Sequence, residues 1–335
     1  MTVSGTGDQA RAYALQLSTN RLKTTMNTLT REVASGEVAD LGQRVQGNTR
    51  GISDVETRLA QTRQLQRNGA EVASQLRGLQ DILEGVRAST SGMGLNIVAD
   101  ASLEGGVSLQ PRISEGGAGF DIVVQQLNGM SGGRFQLSGT ATDQRPLPTA
   151  DAMLDDLIGV IGATTDPAAI EAAVTAWFDD PAGGFMTDAF GGNTQARSVP
   201  VSEGVEVAIT TTAADPAIRG LLKGLAMVAL LDRGVLSGDK AAQVELLKAG
   251  GRAMMAADGG ILTEMGRIGL QQEVVERGNV ANASAIATFE IARTDIRGAD
   301  AFETAAALTE VESQLEALYA VTARLSRLTL VDYLR

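Results

Sequence analysis

The sequence lacks two residue types altogether: none of its 335 residues is cysteine or histidine. Without cysteine the chain cannot form a disulfide, a thiolate nucleophile or a zinc–thiolate site. Without histidine it has no imidazole to act as a general base near neutral pH. We therefore expect no enzymatic activity, no cofactor and no bound metal.

Long hydrophobic runs and aromatic residues are also scarce. No apolar run approaches the roughly 20 residues that span a bilayer. The first residues, MTVSGTGDQARAYALQL, lack the basic and apolar segments of a cleavable signal. Aromatic residues make up 3% of the chain, against 44% for all hydrophobic residues. This composition favours helices packed through small aliphatic side chains, outside the membrane and without a cleaved signal peptide.

Positive charge is in short supply. Lys and Arg number 28 against 40 Asp and Glu, so the formal net charge is −12. No basic cluster supports binding to nucleic acid or to an anionic membrane. Residues 100–214 hold 15 acids and four arginines, a difference of −11. Nearly all the acidic excess therefore lies in the middle of the chain.

Proline is absent from both flanks, since all seven prolines lie between Pro111 and Pro216. Long proline-free flanks can form long helices, whereas the middle cannot. We predict a mainly α fold with a small α+β insert. Its N- and C-terminal helices would pair in a coiled coil or helical bundle, and its middle lobe would hold β-hairpins and short helices. The expected domains are 1–45 (N-terminal coiled-coil helix), 46–105 (bundle helices), 106–214 (acidic α+β outer lobe and hairpin), 215–290 (bundle helices) and 291–335 (C-terminal coiled-coil helix).

Both ends carry apolar residues at seven-residue spacing, the pattern of a helix that packs along one face. An ordinary bundle could pair the two helices within one monomer. However, helix residues so close to a chain end gain little from packing within the monomer, and isolated helices are marginal in water. We therefore predict that neighbouring subunits complete the cover. The predicted subunit-interface residues are Leu15, Leu22, Met26, Leu29, Val33, Leu308, Val311, Leu315, Leu318, Leu325, Leu328 and Leu330.

Further elements are predicted between the two ends. Helical spacing runs from about 46 to 98, which would be about 80 Å long if unbroken, and again from Pro216 towards 290. Segments 149–163 and 167–178 predict capped helices. Apolar runs at 120–127 and 134–139 predict strands, and 199–212 predicts a hairpin turning at Ser202-Glu203-Gly204.

Candidate reactive groups are few. Asp151, Asp155 and Asp156 could bind a divalent cation, but acids favoured by a helix N-terminus explain them better. Lys223 suggests a Ser–Lys dyad only weakly, because a solvated helix face accounts for it. The glycine run GGAGF (116–120) fits no phosphate-binding spacing and predicts a turn.

The two ends resemble those of the bacterial flagellin superfamily. Residues 299–335, ADAFETAAALTEVESQLEALYAVTARLSRLTLVDYLR, are similar to its C-terminal helix. Residues 15–36, LQLSTNRLKTTMNTLTREVASG, are similar to its N-terminal helix. Segments 131–148 and 201–231 resemble stretches of its hook–filament junction members. The chain departs from the family at 37–48, where an Asn and paired acids are common.

The resemblance implies a structural protein of the flagellum that joins hook to filament by subunit assembly and has no enzymatic activity. It implies partners of three kinds: copies of the same chain, other hook-associated proteins with flagellin, and an export chaperone on the C-terminal helix. The protein would be extracellular, exported unfolded through the flagellar type III apparatus without signal cleavage.

Three alternatives are left open. The chain could be filament flagellin itself, which shares the terminal helices. More distantly, residues 100–214 could form a ligand- or carbohydrate-binding module. A secretion-system tip or needle protein would share the apolar ends but not the resemblances at 131–148 and 201–231.

Overall fold

The structure, a computed structural model, describes the backbone of residues 4–103 and 108–333 and the side chains of residues 9–103 and 108–324. Within these residues the chain is mainly helical, with two short antiparallel hairpins. The elements in chain order are α1 (Ser4–Ser35), α2 (Leu41–Arg44), α3 (Arg50–Thr90), α4 (Met93–Ala101), α5 (Gln110–Leu127), β1 (Met130–Ser131), β2 (Arg134–Phe135), α6 (Ala150–Ile161), α7 (Pro167–Asp179), a π-helical turn (Phe185–Ala189), β3 (Arg197–Ser202), β4 (Val205–Ile209), α8 (Pro216–Asp232), α9 (Lys240–Arg297) and α10 (Ala301–Tyr333).

The predicted fold class is confirmed: long terminal helices pack together, and the middle of the chain combines short helices with hairpins. The chain divides into two compact units. The terminal unit comprises Met1–Gln61 and Ser284–Arg335, and the central unit comprises Thr62–Ala283. Helices α3 and α9 contribute residues to both units. Among the described residues, no helix is long and apolar enough to cross a membrane.

The central unit has a dense apolar core in which α5, α7 and α8 pack together. Polar caps start its helices where the sequence predicts them. Thr149 accepts a hydrogen bond from the Ala152 amide before α6, and Asp166 accepts one from the Ala168 amide before α7. The described core includes the fully buried side chains Leu76, Leu79, Leu83, Phe120, Val123, Leu157, Phe178, Phe185, Leu222, Leu225 and Leu246.

Two of the predictions for the middle of the chain are wrong. Residues 120–127 form the end of helix α5 rather than a strand, and the glycine run 116–120 lies inside the same helix rather than in a turn. The buried positions Ile113, Gly116, Phe120, Val123, Val124 and Leu127 follow helical spacing that begins before the apolar run. A Cβ on Gly116 would lie 2.2 Å from the Val228 side chain, so this glycine allows α5 and α8 to approach closely.

Two further predictions hold only in part. The helix expected from 46 to 98 is interrupted: α3 ends at Thr90 and α4 begins at Met93. Gly92 between them has a φ of +73°, a left-handed conformation that ends a right-handed helix. Only Arg134 and Phe135 of the strand expected at 134–139 pair with a partner.

The predicted hairpin at 199–212 forms as β3 and β4, and side chains from two helices hold its backbone. Asn282 of α9 donates a hydrogen bond to the Val201 carbonyl at 2.7 Å, and Gln271 donates one to Ala208 at 2.6 Å. Asn68 of α3 donates to the Pro200 carbonyl at 3.0 Å. The hairpin is therefore fixed by amide side chains as well as by its own ladder.

A buried carboxylate joins the end of this hairpin to α9. Glu264 accepts hydrogen bonds from Thr211 and from the Arg267 guanidinium, whose Nε lies 2.9 Å from Oε2. Burial opposes ionisation of Glu264, but the hydrogen bonds from Arg267 and Thr211 outweigh it and lower its pKa. Nearby, burial raises the pKa of Asp215.

Helices α8 and α9 cross so closely at Gly224 and Gly250 that the backbone of one helix lies against the backbone of the other. A Cβ on Gly224 would lie 2.7 Å from the Gly250 carbonyl oxygen, which cannot move aside as a flexible side chain could. We expect Gly224→Ala to destabilise the protein by about 1–3 kcal/mol through overpacking. The control Gly259→Ala, at an exposed α9 position with open space around its Cβ, should be neutral or stabilising by up to about 1 kcal/mol. Thermal unfolding followed by circular dichroism compares the two, and equal midpoints would contradict the close crossing.

The Glu264 cluster predicts a pH-dependent stability. A carboxyl whose folded pKa is lowered contributes stability above its unfolded pKa, about 4.3, and loses it as pH falls through the folded value. We expect Glu264→Gln to cost about 1–3 kcal/mol at pH 7. The difference from the parent chain should shrink below about pH 4. Urea unfolding of both chains from pH 3 to 7 measures the difference in their free energies of unfolding. A difference that does not change with pH would show that the pKa of Glu264 is not lowered in the folded chain. Asp215 is present in both chains, and burial, the main cause of its raised pKa, acts in both; the Glu264 charge adds to that shift in the parent chain only.

Candidate subunit-assembly surface

The terminal unit is built around the end of α1. Gly36 follows the helix with a φ of +69°, the left-handed conformation that ends helices at glycine. The Glu32 carboxylate then accepts a hydrogen bond from the Ala39 amide at 2.7 Å. Together these turn the chain away from the helix axis.

A short backbone clasp joins this turn to the segment before α10. The Ala299 amide donates to the Gly36 carbonyl at 2.9 Å, and the Val38 amide donates to the Arg297 carbonyl at 2.9 Å. The Arg297 side chain reinforces it, donating to Glu37 at 3.0 Å and to Glu56 at 3.1 Å. Hydrogen bonding to Glu37 raises the pKa of Arg297.

Helix α10 starts at this clasp and runs back along α1. The Asp300 carboxylate caps it by accepting from the Phe302 and Glu303 amides at 2.9 and 3.0 Å. Farther along, the Lys23 ammonium lies 5.8 Å from the centre of the Tyr319 ring. Because the clasp joins the end of α1 to the start of α10, the two helices are antiparallel.

We call the apolar contact between α1 and α10 the seam. On α1, Leu15, Leu22, Met26 and Leu29 are half-buried, and Val33 is exposed. On α10, Leu315 is buried, and Leu308, Val311 and Leu318 are half-buried. The side chains of Leu325, Leu328 and Leu330 lie outside the described residues, although their backbone belongs to α10.

Two heptad positions of the seam are occupied by threonine rather than by an apolar residue. A pattern of leucine-like residues at heptad spacing therefore does not include them. Thr19 is half-buried and Thr304 is buried, each at the expected heptad step from its neighbours. The Thr19 hydroxyl donates to the Leu15 carbonyl at 2.8 Å, which satisfies its polar group within the helix. Thr19 lies between the apolar heptad residues Leu15 and Leu22, which is the signal that could have found it, whereas Thr304 precedes the first leucine of its stripe.

The seam is far less covered than the core of the central unit. Among the described side chains, the terminal unit supplies only three buried apolar residues, Ile52, Leu59 and Leu315. The apolar core cluster begins at Val72 and ends at Val275, wholly within the central unit. The terminal helices therefore meet along an apolar contact that one chain leaves partly open to solvent.

Of the candidate reactive groups of the central unit, Asp151, Asp155 and Lys223 form ion pairs. Arg233 donates to Asp151 and, at 3.2 Å, to Asp155. Lys223 pairs with Asp179 at 2.5 Å. In the part of the chain that the structure describes, no cluster of three or more acidic residues could hold a metal ion.

The central unit also has a polar cavity of about 350 Å³. Glu71 lies in its wall and accepts a hydrogen bond from Arg197 at 2.8 Å. Hydrogen bonding to Arg197 lowers the pKa of Glu71. The cavity is the place where a ligand-binding role for residues 100–214 would be sought.

No protein-family model matches the sequence, and no curated protein matches it. Among solved structures, a protein described as a "putative flagellar hook-associated protein" from Vibrio parahaemolyticus aligns over 72% of this chain and 94% of its own, with 17% identity and a TM-score of 0.45. FlgL from Bacillus cereus aligns over 70% of this chain and 96% of its own, with 16% identity and a TM-score of 0.47. At such identity and TM-score, neither structure carries an argument about function.

The seam predicts which apolar residues hold the terminal helices together in a dilute monomer. Leu315→Ala removes the best-covered seam side chain and should destabilise the helix pair by about 2 kcal/mol. Val321→Ala, at an exposed position of the same helix, should have little effect. Hydrogen exchange of the α1 and α10 amides measures both. Faster exchange in Val321→Ala than in Leu315→Ala would show that the seam is misplaced.

Proposed function

We propose that this chain is a structural subunit of the bacterial flagellum and that it joins hook to filament by helix-mediated assembly. The observation that carries the proposal is the partly open seam between α1 and α10. The resemblance of 15–36 and 299–335 to the flagellin superfamily gives that assembly its setting. Association, rather than catalysis, is then the mechanism, and the protein is not an enzyme.

Burial of apolar area supplies the driving force. Each square ångström removed from water contributes roughly 25 cal/mol. Seam residues such as Leu22, Met26 and Leu318 are half-buried in one chain and have apolar area still to lose. Exposed ion pairs contribute about 0–1 kcal/mol each, so they refine such an assembly rather than drive it. The twelve predicted interface residues, Leu15 to Val33 and Leu308 to Leu330, remain our proposed assembly set.

The proposal extends to partners and location. Copies of this chain would complete the seam, and other hook-associated proteins and flagellin would adjoin them. An export chaperone would cover the C-terminal helix until the chain leaves the cell through the flagellar type III apparatus, without a cleaved signal. The acidic residues 106–214 would form the outer lobe, where their excess charge is solvated. Neither nucleic acid nor a membrane is a partner.

Electron microscopy of cells that lack the protein separates the junction role from the nearest alternative. If the protein joins hook to filament, the cells should carry bare hooks and shed flagellin into the medium. If it is filament flagellin, the hooks should be bare and no flagellin should appear in the medium.

The same cells test the mechanism when they receive a chain that lacks residues 316–335. We expect this chain to restore neither filaments nor motility, because it has lost Leu318 and every later interface residue. The matched control replaces exposed Val160 and Leu270 of the central unit with lysine and should restore both. Normal filaments with the truncated chain would contradict the proposal.

A further inference from the structure

Helix α10 has a second face, opposite the seam, that is left uncovered by the residues of the terminal unit whose side chains the structure describes. At 3.6 residues per turn, its members lie about 180° around the helix from the seam residues. All of them are exposed, and none is charged. We call this the α10 outer face, and it consists of Phe302, Ala306, Thr309, Ser313, Ala317 and Ala320.

The α10 outer face is bordered by negative charge. Glu303 and Glu310 line one edge and Glu316 lies at the other, and residues 301–323 contain no Lys or Arg, whereas the exposed Arg324 continues the strip at its C-terminal end. All three glutamates are exposed. Phe302 is the most exposed large apolar side chain in the described residues, at 86%. An uncharged strip between glutamates fits a partner that is apolar along its middle and basic at its edges.

Helix α1 presents such a surface on its own side away from the seam. This α1 outer face consists of Tyr13, Leu17, Asn20, Thr24 and Asn27, all exposed. Arg31 continues it, and Arg21 lies along one edge. Tyr13 and Leu17, at 69% and 53% exposure, are bulky where α10 has alanines. Helix α1 carries four basic and two acidic residues in all. The two faces therefore complement each other in both charge and size.

Within one chain the two outer faces cannot meet, because each points away from the shared seam. In the part of the chain whose side chains are described, Arg21, Arg31, Glu310 and Glu316 form no ion pair. Glu310 accepts one hydrogen bond, from Gln314 on its own helix at 3.1 Å. These charges are thus available to a second molecule.

We infer that the α10 outer face of one copy binds the α1 outer face of the next copy. This inference rests on the proposed function and specifies how the subunits join. Two identical α10 faces that overlap along residues 303–316 would place glutamates against glutamates, so such a symmetric pairing is disfavoured. The contact is head-to-tail, and repeated head-to-tail contacts generate a ring or a helical assembly.

A charge exchange between separate chains tests the contact. One chain carries Arg21→Glu and Arg31→Glu, which makes both of its outer faces acidic. The other carries Glu310→Arg and Glu316→Arg, which makes both of its outer faces basic. Lys23 stays unchanged in both, because it contacts Tyr319 within its own chain. In cells that lack the native protein, each variant alone should attach filaments at least about tenfold less often than the parent chain, equivalent to about 1.4 kcal/mol.

Co-expression of the two variants should restore attachment, because an acidic face then meets a basic face at every contact. Repulsion within one chain could not be relieved in this way, so rescue identifies a contact between copies. Each variant must appear in the medium at the parent level, which shows that it is exported. If the exported variants work singly, or fail together, the inference is wrong. If the parent chain itself restores no filaments, the proposed function is wrong instead.

Cross-linking of purified full-length chains tests the contact independently of the flagellum. The parent chain has no cysteine, so Thr24→Cys in one chain and Ser313→Cys in a differently tagged chain give defined sites. Oxidation of the mixture at high protein concentration should yield mainly the mixed dimer. Thr165→Cys, exposed in the central unit, replaces Ser313→Cys as the matched control and should yield at least about tenfold less, a difference of about 1.4 kcal/mol. Equal yields from both mixtures would overturn the inference, whatever the cellular result.

Discussion

The contact between α1 and α10 is the physical constraint on which the proposed assembly of this chain depends. A pair of antiparallel helices can bury only the stripe that each turns towards the other. Here the clasp at Gly36 and Ala299 fixes one end of the pair. Beyond it the seam is held mainly by half-buried side chains, with Leu315 as its buried apolar member. Such a pair gains little from tertiary packing, so its order depends on what covers it next.

The central unit, in contrast to the terminal helices, buries its apolar side chains in a core made entirely of its own residues. Caps at Thr149, Asp166 and Asp215 start its helices, and glycines allow α8 to approach its neighbours closely. The buried Glu264 carboxylate finds its partners within this unit, in Thr211 and Arg267. A unit of this kind needs no second molecule to fold. Under the proposed function, this contrast assigns the need for a partner to the terminal helices.

Sequence reasoning succeeded where a local pattern decides the structure. Heptads predicted α1 and α10, capping residues predicted α6 and α7, and the Glu203-Gly204 turn predicted the hairpin β3–β4. It failed at 116–127, because glycines that look like a turn instead serve close helix packing against Val228. Thr19 was missed because only apolar residues were counted in the heptad, and Thr304 because its burial depends on the facing helix, which no local window contains. Which seam residues meet another copy remains a prediction.

Charge selects which partner helix the terminal helices accept and in which orientation, a choice that apolar packing alone does not make. The seam by itself could be completed by any apolar helix in either orientation. The basic excess on α1 and the acidic excess on α10 stabilise unlike contacts and disfavour like ones. Exposed charges each contribute little energy, but they discriminate between arrangements of similar apolar area. If the chain joins hook to filament as proposed, it needs this directionality, because the two ends of the assembly must differ.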